Sequence, residues 1–154
     1  MELAKHRGKC VKCALIKEDI YNTVLWFFWD MSYSEMEKLG LAIEAFTGIP
    51  DYPSDIALAG CVLPFEDDIH ALWIRDRSIN TLAHEASHLI DLKLKCRRVG
   101  DHSETSEARA YYAGWLHEEL WNAVQRHDEL ERKRLCKKKP KTNPQKHTTQ
   151  AKNA

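Results

Sequence analysis

The sequence lacks any hydrophobic segment long enough to cross a membrane. An apolar run that includes four aromatic residues extends from Val24 to Trp29, far short of the roughly 20 residues that a membrane-spanning helix needs. We therefore expect no contact with a membrane and interpret this run as a buried strand. Internal repeats are also lacking, and 154 residues suit one domain with a modest core.

Cysteine is scarce, and its number is odd. The sequence has five cysteines and no signal peptide, so we expect a cytoplasmic protein with free thiols. Cys10 and Cys13 form a CxxC pair, which is half of a structural zinc knuckle. No second CxxC follows, so a four-cysteine zinc site would need ligands from distant parts of the chain.

The sequence has no excess of either charge, with 23 basic and 23 acidic residues, but the charges are segregated. Residues 1–13 carry four Lys or Arg and one acidic residue, and residues 132–154 carry nine Lys or Arg and no acidic residue. The segment between them has 10 basic and 22 acidic residues. We divide the chain into a basic N-terminal segment (1–13), one domain (14–134) and a basic tail (135–154). The tail is polar and broken by proline, which predicts disorder. It either solubilises the domain or contacts nucleic acid or another acidic partner by displacing phosphate counterions.

A short motif carries most of the chemistry. His84, Glu85 and His88 stand in the HExxH spacing. On a helix, residues four apart lie on the same face, so the two imidazoles can bind one zinc ion. A carboxylate at position 85 can reach a water on that ion and act as the general base.

The neighbouring sequence supports this interpretation. An aliphatic and aromatic stretch at about 70–75 predicts a strand, which can pair with an extended peptide beside the metal. Ser78 is a candidate N-cap. Apolar residues then recur at helical spacing from Ile79 to about Lys95, which places the motif in the middle of a helix.

A catalytic zinc normally has three protein ligands and one open position. Lys93 and Leu94 occupy the positions at which SprT-like proteins and metzincins place a third ligand, which excludes both patterns. A second helix predicted to begin near residue 103 offers Glu107, 19 residues after His88. Glu104 and His102 are the alternatives at this point.

The two segments 81–88 and 106–111 together resemble the gluzincins, zinc peptidases whose third ligand is a glutamate on a downstream helix. More closely, they resemble small metallopeptidases encoded by phages and prophages, which would place the protein in the host cytoplasm. The resemblance covers roughly residues 55–130 and implies a zincin-like domain with His84, His88 and Glu107 as Zn²⁺ ligands and Glu85 as general base. One departure is Tyr111, which stands where gluzincins have an acidic residue that orients a histidine. Asp91 is the candidate for that role.

Two other residue types near the motif have competing interpretations. Tyr111 and Tyr112 could stabilise an oxyanion, but apolar residues recur around them at helical spacing, which favours a core role. Arg109 could bind a substrate carboxylate or lie in solvent.

The remaining pattern completes an α+β fold. Strands are predicted at about 22–29, 56–63 and 70–75, and a helix at about 33–47, which begins with a capping box at Ser32 and Glu35. We expect a small antiparallel or mixed sheet of about three strands, packed on the HExxH helix and the Glu-bearing helix.

Two functions follow from these observations. The first is a zinc-dependent hydrolase of peptide bonds, with a peptide or protein substrate. The alternative is a non-catalytic, zinc-stabilised binding or accessory protein whose basic tail contacts nucleic acid or a protein partner.

Overall fold

The computed structural model describes residues 1–18, 23–45, 59–66, 69–96 and 103–138. They form five strands and three helices: β1 (Glu2–His6), β2 (Lys9–Glu18), β3 (Thr23–Trp29), α1 (Tyr33–Ala42), β4 (Gly60–Glu66), β5 (Ile69–Ile74), α2 (Ile79–Cys96) and α3 (Ser103–Lys138). The predicted α+β class is confirmed. The prediction of about three strands is wrong, because the sheet has five.

The sheet is mixed, with strand order β1-β2-β3-β5-β4. β3 and β5 are parallel, with Val24 opposite Ile69, and the other neighbours are antiparallel. The strand that leads into α2 was expected to be available to a peptide beside the metal. That expectation is wrong, because β5 is paired on both sides and β4 folds back along it. Among the described strands, β4 therefore lies at the edge on this side of the sheet.

The N-terminal residues belong to the sheet. β1 and β2 form a hairpin whose two turn residues, Arg7 and Gly8, both have positive φ (50° and 75°), as a type I′ turn requires. The basic segment 1–13 thus forms β1 and the first part of β2. Cys10 and Cys13 lie three residues apart on β2, so their side chains point to opposite faces and cannot share one metal. Burial raises the pKa of the Cys13 thiol well above its usual range.

Helices pack on both faces of the sheet, α2 and α3 on one and α1 on the other. Leu25, Phe27 and Trp29 alternate along β3 and face α2 and α3. Phe28 and Trp73 point to the opposite face, in a second apolar cluster with Met36 of α1. This two-sided burial explains why the run from Val24 to Trp29 is apolar throughout.

The first two helices begin as the sequence predicts. At α1, the Glu35 backbone N–H donates to Ser32 Oγ (3.3 Å) and the Ser32 N–H donates to Glu35 Oε2 (2.7 Å), which confirms the capping box. At α2, the Thr81 N–H donates to Ser78 Oγ (3.4 Å). α1 ends at Ala42, before the predicted end near residue 47, and residues 46–58 lie outside the described part of the chain.

The third helix is 36 residues long and returns across the sheet beside α2. It continues to Lys138, so the first residues of the tail predicted to be disordered (135–154) are helical. The remainder, 139–154, lies outside the described residues. No helix in the part of the chain that the structure describes is long and apolar enough to span a bilayer.

A buried polar cluster joins four elements. Lys93 of α2 donates to Glu18 of β2 and to Thr23 of β3, and Thr23 Oγ1 donates to Glu18. Tyr112 of α3 donates to the second carboxylate oxygen of Glu18 (3.0 Å). All four residues are less than 5% exposed. These hydrogen bonds of Lys93 therefore hold the end of α2 against the sheet.

Candidate metal centre

The imidazoles of His84 and His88 converge on one exposed face of α2. Their Nε2 atoms are 3.1 Å apart, and their rings are nearly perpendicular, with an interplanar angle of 89°. Two nitrogens that bind a tetrahedral zinc at 2.0–2.1 Å lie about 3.4 Å apart. The pair therefore fits two positions of a zinc site with little rearrangement.

The packing of α2 fixes this orientation. Leu82, Ala86 and Leu89 form the buried stripe of the helix that faces the sheet. The two histidines lie on the opposite, exposed side. The Ser87 hydroxyl donates to the His84 carbonyl oxygen (2.7 Å), within the same turn.

Glu85 lies on the other side of the helix from solvent and is only 7% exposed. Its side chain packs against β4, at the point where Gly60 has no side chain. Burial raises the pKa of the Glu85 carboxyl, and the positive charge of His84 and His88 opposes that rise. A buried carboxylate with a raised pKa is a stronger base than an ordinary glutamate, which suits a group that accepts a proton.

Cys61 follows Gly60 on β4. Its pKa is raised to about 12, first by burial and then by the negative charge of Glu85. The thiol therefore remains protonated at neutral pH, and Cys61 is suited to be neither a nucleophile nor a metal ligand in this state.

The described structure does not bring Glu107 to the two histidines. Across residues 1–18, 23–45, 59–66, 69–96 and 103–138, no group of three or more His, Cys, Asp or Glu side chains is arranged to hold a metal. Glu107 is exposed on α3, two residues before Arg109, which places it about 200° round the helix from that residue. His102 and the side chain of Glu104 lie outside what the structure describes. The identity of the third ligand stays a prediction.

Asp91 and Arg109 form an ion pair between α2 and α3. Asp91 lies seven residues after His84, on the same side of the helix. It was expected to orient a histidine, and Arg109 was expected to meet a substrate or solvent. The contact links α2 and α3, and no pattern in the sequence identified Arg109 as the partner of Asp91. The role of Asp91 in orienting a histidine stays a prediction.

Tyr111 and Tyr112 are adjacent on α3 but differ in exposure to solvent. Tyr112 is buried, as predicted, and bonds to Glu18. The prediction that Tyr111 also lies in the core is wrong, because its side chain is 73% exposed. Adjacent residues on a helix are about 100° apart, so both rings cannot face the sheet at once.

Gly60 and the edge strand β4 were not identified from the sequence as parts of the site. Gly60 lies in the stretch 56–63, which predicts only a strand. The close approach of Glu85 to it depends on how β4 folds back on β5.

No known protein family matches this chain, and no curated protein or solved structure is significantly similar to it. The functional interpretation consequently depends on the geometry of the site and on the motif residues themselves.

Proposed function

We propose that this chain is a zinc-dependent hydrolase of peptide bonds. The observation that supports the proposal most strongly is the 3.1 Å separation of the His84 and His88 Nε2 atoms, with the buried carboxyl of Glu85 on the same helix turn. This arrangement combines a metal-binding pair and a base in the spacing that zinc hydrolases use.

Each residue has a separate role in the proposed mechanism. His84 and His88 would hold the metal, and Glu107 is the proposed third ligand on the basis of the resemblance to gluzincins. Bound zinc supplies Lewis-acid chemistry, which polarises a carbonyl group and acidifies water. Glu85 takes the proton of the attacking water and delivers it to the leaving amine.

The edge strand β4 suggests how the substrate binds. In the described sheet, β4 has a neighbour on one side only, and α2 packs against the same strand. An extended peptide can add to such an edge through its backbone hydrogen bonds. Pro64 has no N–H to donate, so we expect the peptide to align along residues 60–63. We therefore propose an unfolded segment of a protein as the substrate.

Metal content and hydrolysis provide the direct test. We expect one zinc per chain in the purified protein and cleavage within a fluorescence-quenched peptide library. Glu85→Gln should keep the zinc and lower the cleavage rate by at least 100-fold, because only the base is lost. Zinc well below one per chain, or unchanged cleavage by the Glu85→Gln protein, would reject the mechanism.

The third ligand can be identified in the same assay. We expect Glu107→Gln to weaken zinc binding by at least tenfold, whereas Glu118→Gln, an exposed glutamate on the same helix, leaves it unchanged. Loss of zinc affinity in Glu104→Gln or His102→Ala, but not in Glu107→Gln, would reassign the ligand without affecting the histidine pair.

The end of α3 favours one second candidate, the non-catalytic accessory protein. The exposed residues Arg132, Lys133 and Lys137 extend the basic composition of the tail onto the last turns of the helix. Such a surface gains affinity for nucleic acid by releasing counterions. This function predicts DNA binding that weakens steeply with salt, together with bound zinc and no cleavage of the peptide library.

A further inference from the structure

We propose that Gly60 is a positioning residue for Glu85, because its missing side chain leaves a space on β4 in which the Glu85 side chain packs. We call this space the seat. The inference depends on the proposed hydrolase function for its role in catalysis. The seat itself is a property of the fold.

The contact is closer than any side chain at position 60 would permit. A Cβ atom built on Gly60 would lie 2.7 Å from Glu85 Cγ and 3.2 Å from Glu85 Cδ. It would also lie 2.7 Å from the backbone oxygen of Trp73 on β5. Carbon atoms in ordinary contact are 3.5–4.0 Å apart, so even alanine would force a shift.

The backbone at Gly60 has little freedom to retreat. Gly60 is paired with Ile74 in the β4–β5 ladder, and the Arg75 N–H donates to the Ala59 oxygen (2.7 Å) just beyond it. Among the described glycines, only Gly8 has a positive φ. Glycine is therefore needed at position 60 for space and not for an unusual backbone conformation.

The same strand shows which face the seat occupies. Val62, two residues later, packs against the cluster that contains α2, whereas Cys61 belongs to the cluster on the α1 side. Position 60 therefore faces α2, and the methylene groups of Glu85 fill the volume that its side chain would take. His84 and His88 lie on the exposed side of α2, away from this contact.

Because Gly60 contacts Glu85 and the two histidines lie elsewhere on α2, Gly60→Ala should affect catalysis and zinc binding differently. Gly60→Ala should displace the Glu85 carboxyl while it leaves the metal-binding pair in place. We expect kcat for the best-cleaved library peptide to fall by at least tenfold, while KM and the affinity for Zn²⁺ change by less than threefold. Gly114→Ala is the matched control, because a Cβ at Gly114 meets nothing within 4 Å, and it should leave all three quantities unchanged. A parallel loss of zinc affinity and kcat in Gly60→Ala would overturn the positioning role.

A double-mutant cycle tests the seat without any activity measurement. We expect Gly60→Ala to reduce the folding equilibrium constant at least tenfold more in the wild-type chain than in Glu85→Ala, which has no side chain to displace. An equal reduction in both backgrounds would overturn the proposal, because the Trp73 oxygen would then explain the whole effect. If Gly60→Ala alone does not fold, folding of the double variant supports the seat and its failure to fold overturns it.

The two proposals can fail separately. A wild-type chain that neither binds zinc nor cleaves peptides would remove the hydrolase function, while the folding cycle would still decide whether Glu85 is seated on Gly60.

Discussion

Lys93 Nζ donates to Glu18 Oε2 although the two residues are 75 positions apart, and their side chains are only 3% and 1% exposed. Thr23 and Tyr112 complete the hydrogen bonding of this pair. A buried ion pair with satisfied partners holds elements in one arrangement, but its removal as a unit need not destabilise the fold.

The first prediction concerns this pair. Lys93→Met leaves the Glu18 carboxylate buried without its counter-ion, so we expect the free energy of unfolding to fall by about 3–5 kcal/mol. The double variant Lys93→Met and Glu18→Leu should recover at least half of that loss in urea unfolding. Losses that simply add in the double variant would contradict the coupling of the two side chains.

The second prediction concerns metal binding and pH. Imidazole nitrogens must be unprotonated to bind zinc, so protons compete with the metal. We expect zinc affinity, measured by competition with a chromogenic chelator, to fall steadily as the pH is lowered below 7. His84→Ala should lower that affinity by at least 100-fold at pH 7, whereas His117→Ala, a half-buried histidine on α3, should not change it. Equal affinity in wild-type and His84→Ala proteins would contradict the ligand assignment.

The third prediction follows from the raised pKa of Glu85. Below its ordinary pKa the carboxyl is protonated in both the folded and unfolded states, and its burial has no charge penalty. As the pH rises through the raised pKa of the folded state, the folded protein must hold a buried charge and loses stability. In urea unfolding of the metal-free protein, Glu85→Gln should therefore gain stability relative to wild type as the pH rises above the ordinary carboxyl pKa. A stability difference that does not vary with pH would exclude this effect.

The fourth prediction concerns Asp30, which follows β3 with a positive φ of 54°. A hydrogen bond from Lys12 (2.6 Å) and the nearby charge of Arg77 (3.1 Å) lower the pKa of the Asp30 carboxyl. This interaction stabilises the fold at pH values above the ordinary carboxyl pKa. The stabilisation is lost as the pH falls through the lowered pKa of the folded state. Asp30→Asn, which tolerates the same backbone conformation, should be less stable than wild type at pH 7. The difference should shrink towards pH 2 and in 1 M salt, and a constant difference would point to a cause other than charge.

Local signals in the sequence predicted much of the fold. The capping box at Ser32 and the apolar spacing from Ile79 onward depend on neighbouring residues, so the starts of α1 and α2 were predicted correctly. The hairpin of β1 and β2 was missed because its basic residues suggested a separate segment. The sequence did indicate the hairpin, through the apolar residues of β2 and through Gly8 at the turn.

The candidate site was predictable only where it lies on one helix. His84, Glu85 and His88 follow from a spacing of four residues, but the burial of Glu85 depends on β4, which folds against α2 from a different part of the chain. The paired state of Arg109 and the exposure of Tyr111 depend on the rotation of α3 about its axis. A periodic pattern identifies the buried stripe of a long helix better than the direction of any single residue at its border.

The mixed sheet also has a consequence for the order of folding. Gly60, β5 and α2 form one contiguous stretch of chain, and β4 meets β5 through a short connection. The parallel pairing of Val24 with Ile69 must instead close a loop of about 45 residues, which costs chain entropy before any contact forms. Pairing of β3 with β5 is therefore expected to limit the folding rate. The hairpin and helix that carry the candidate site can form first, as a unit to which the rest of the sheet is added.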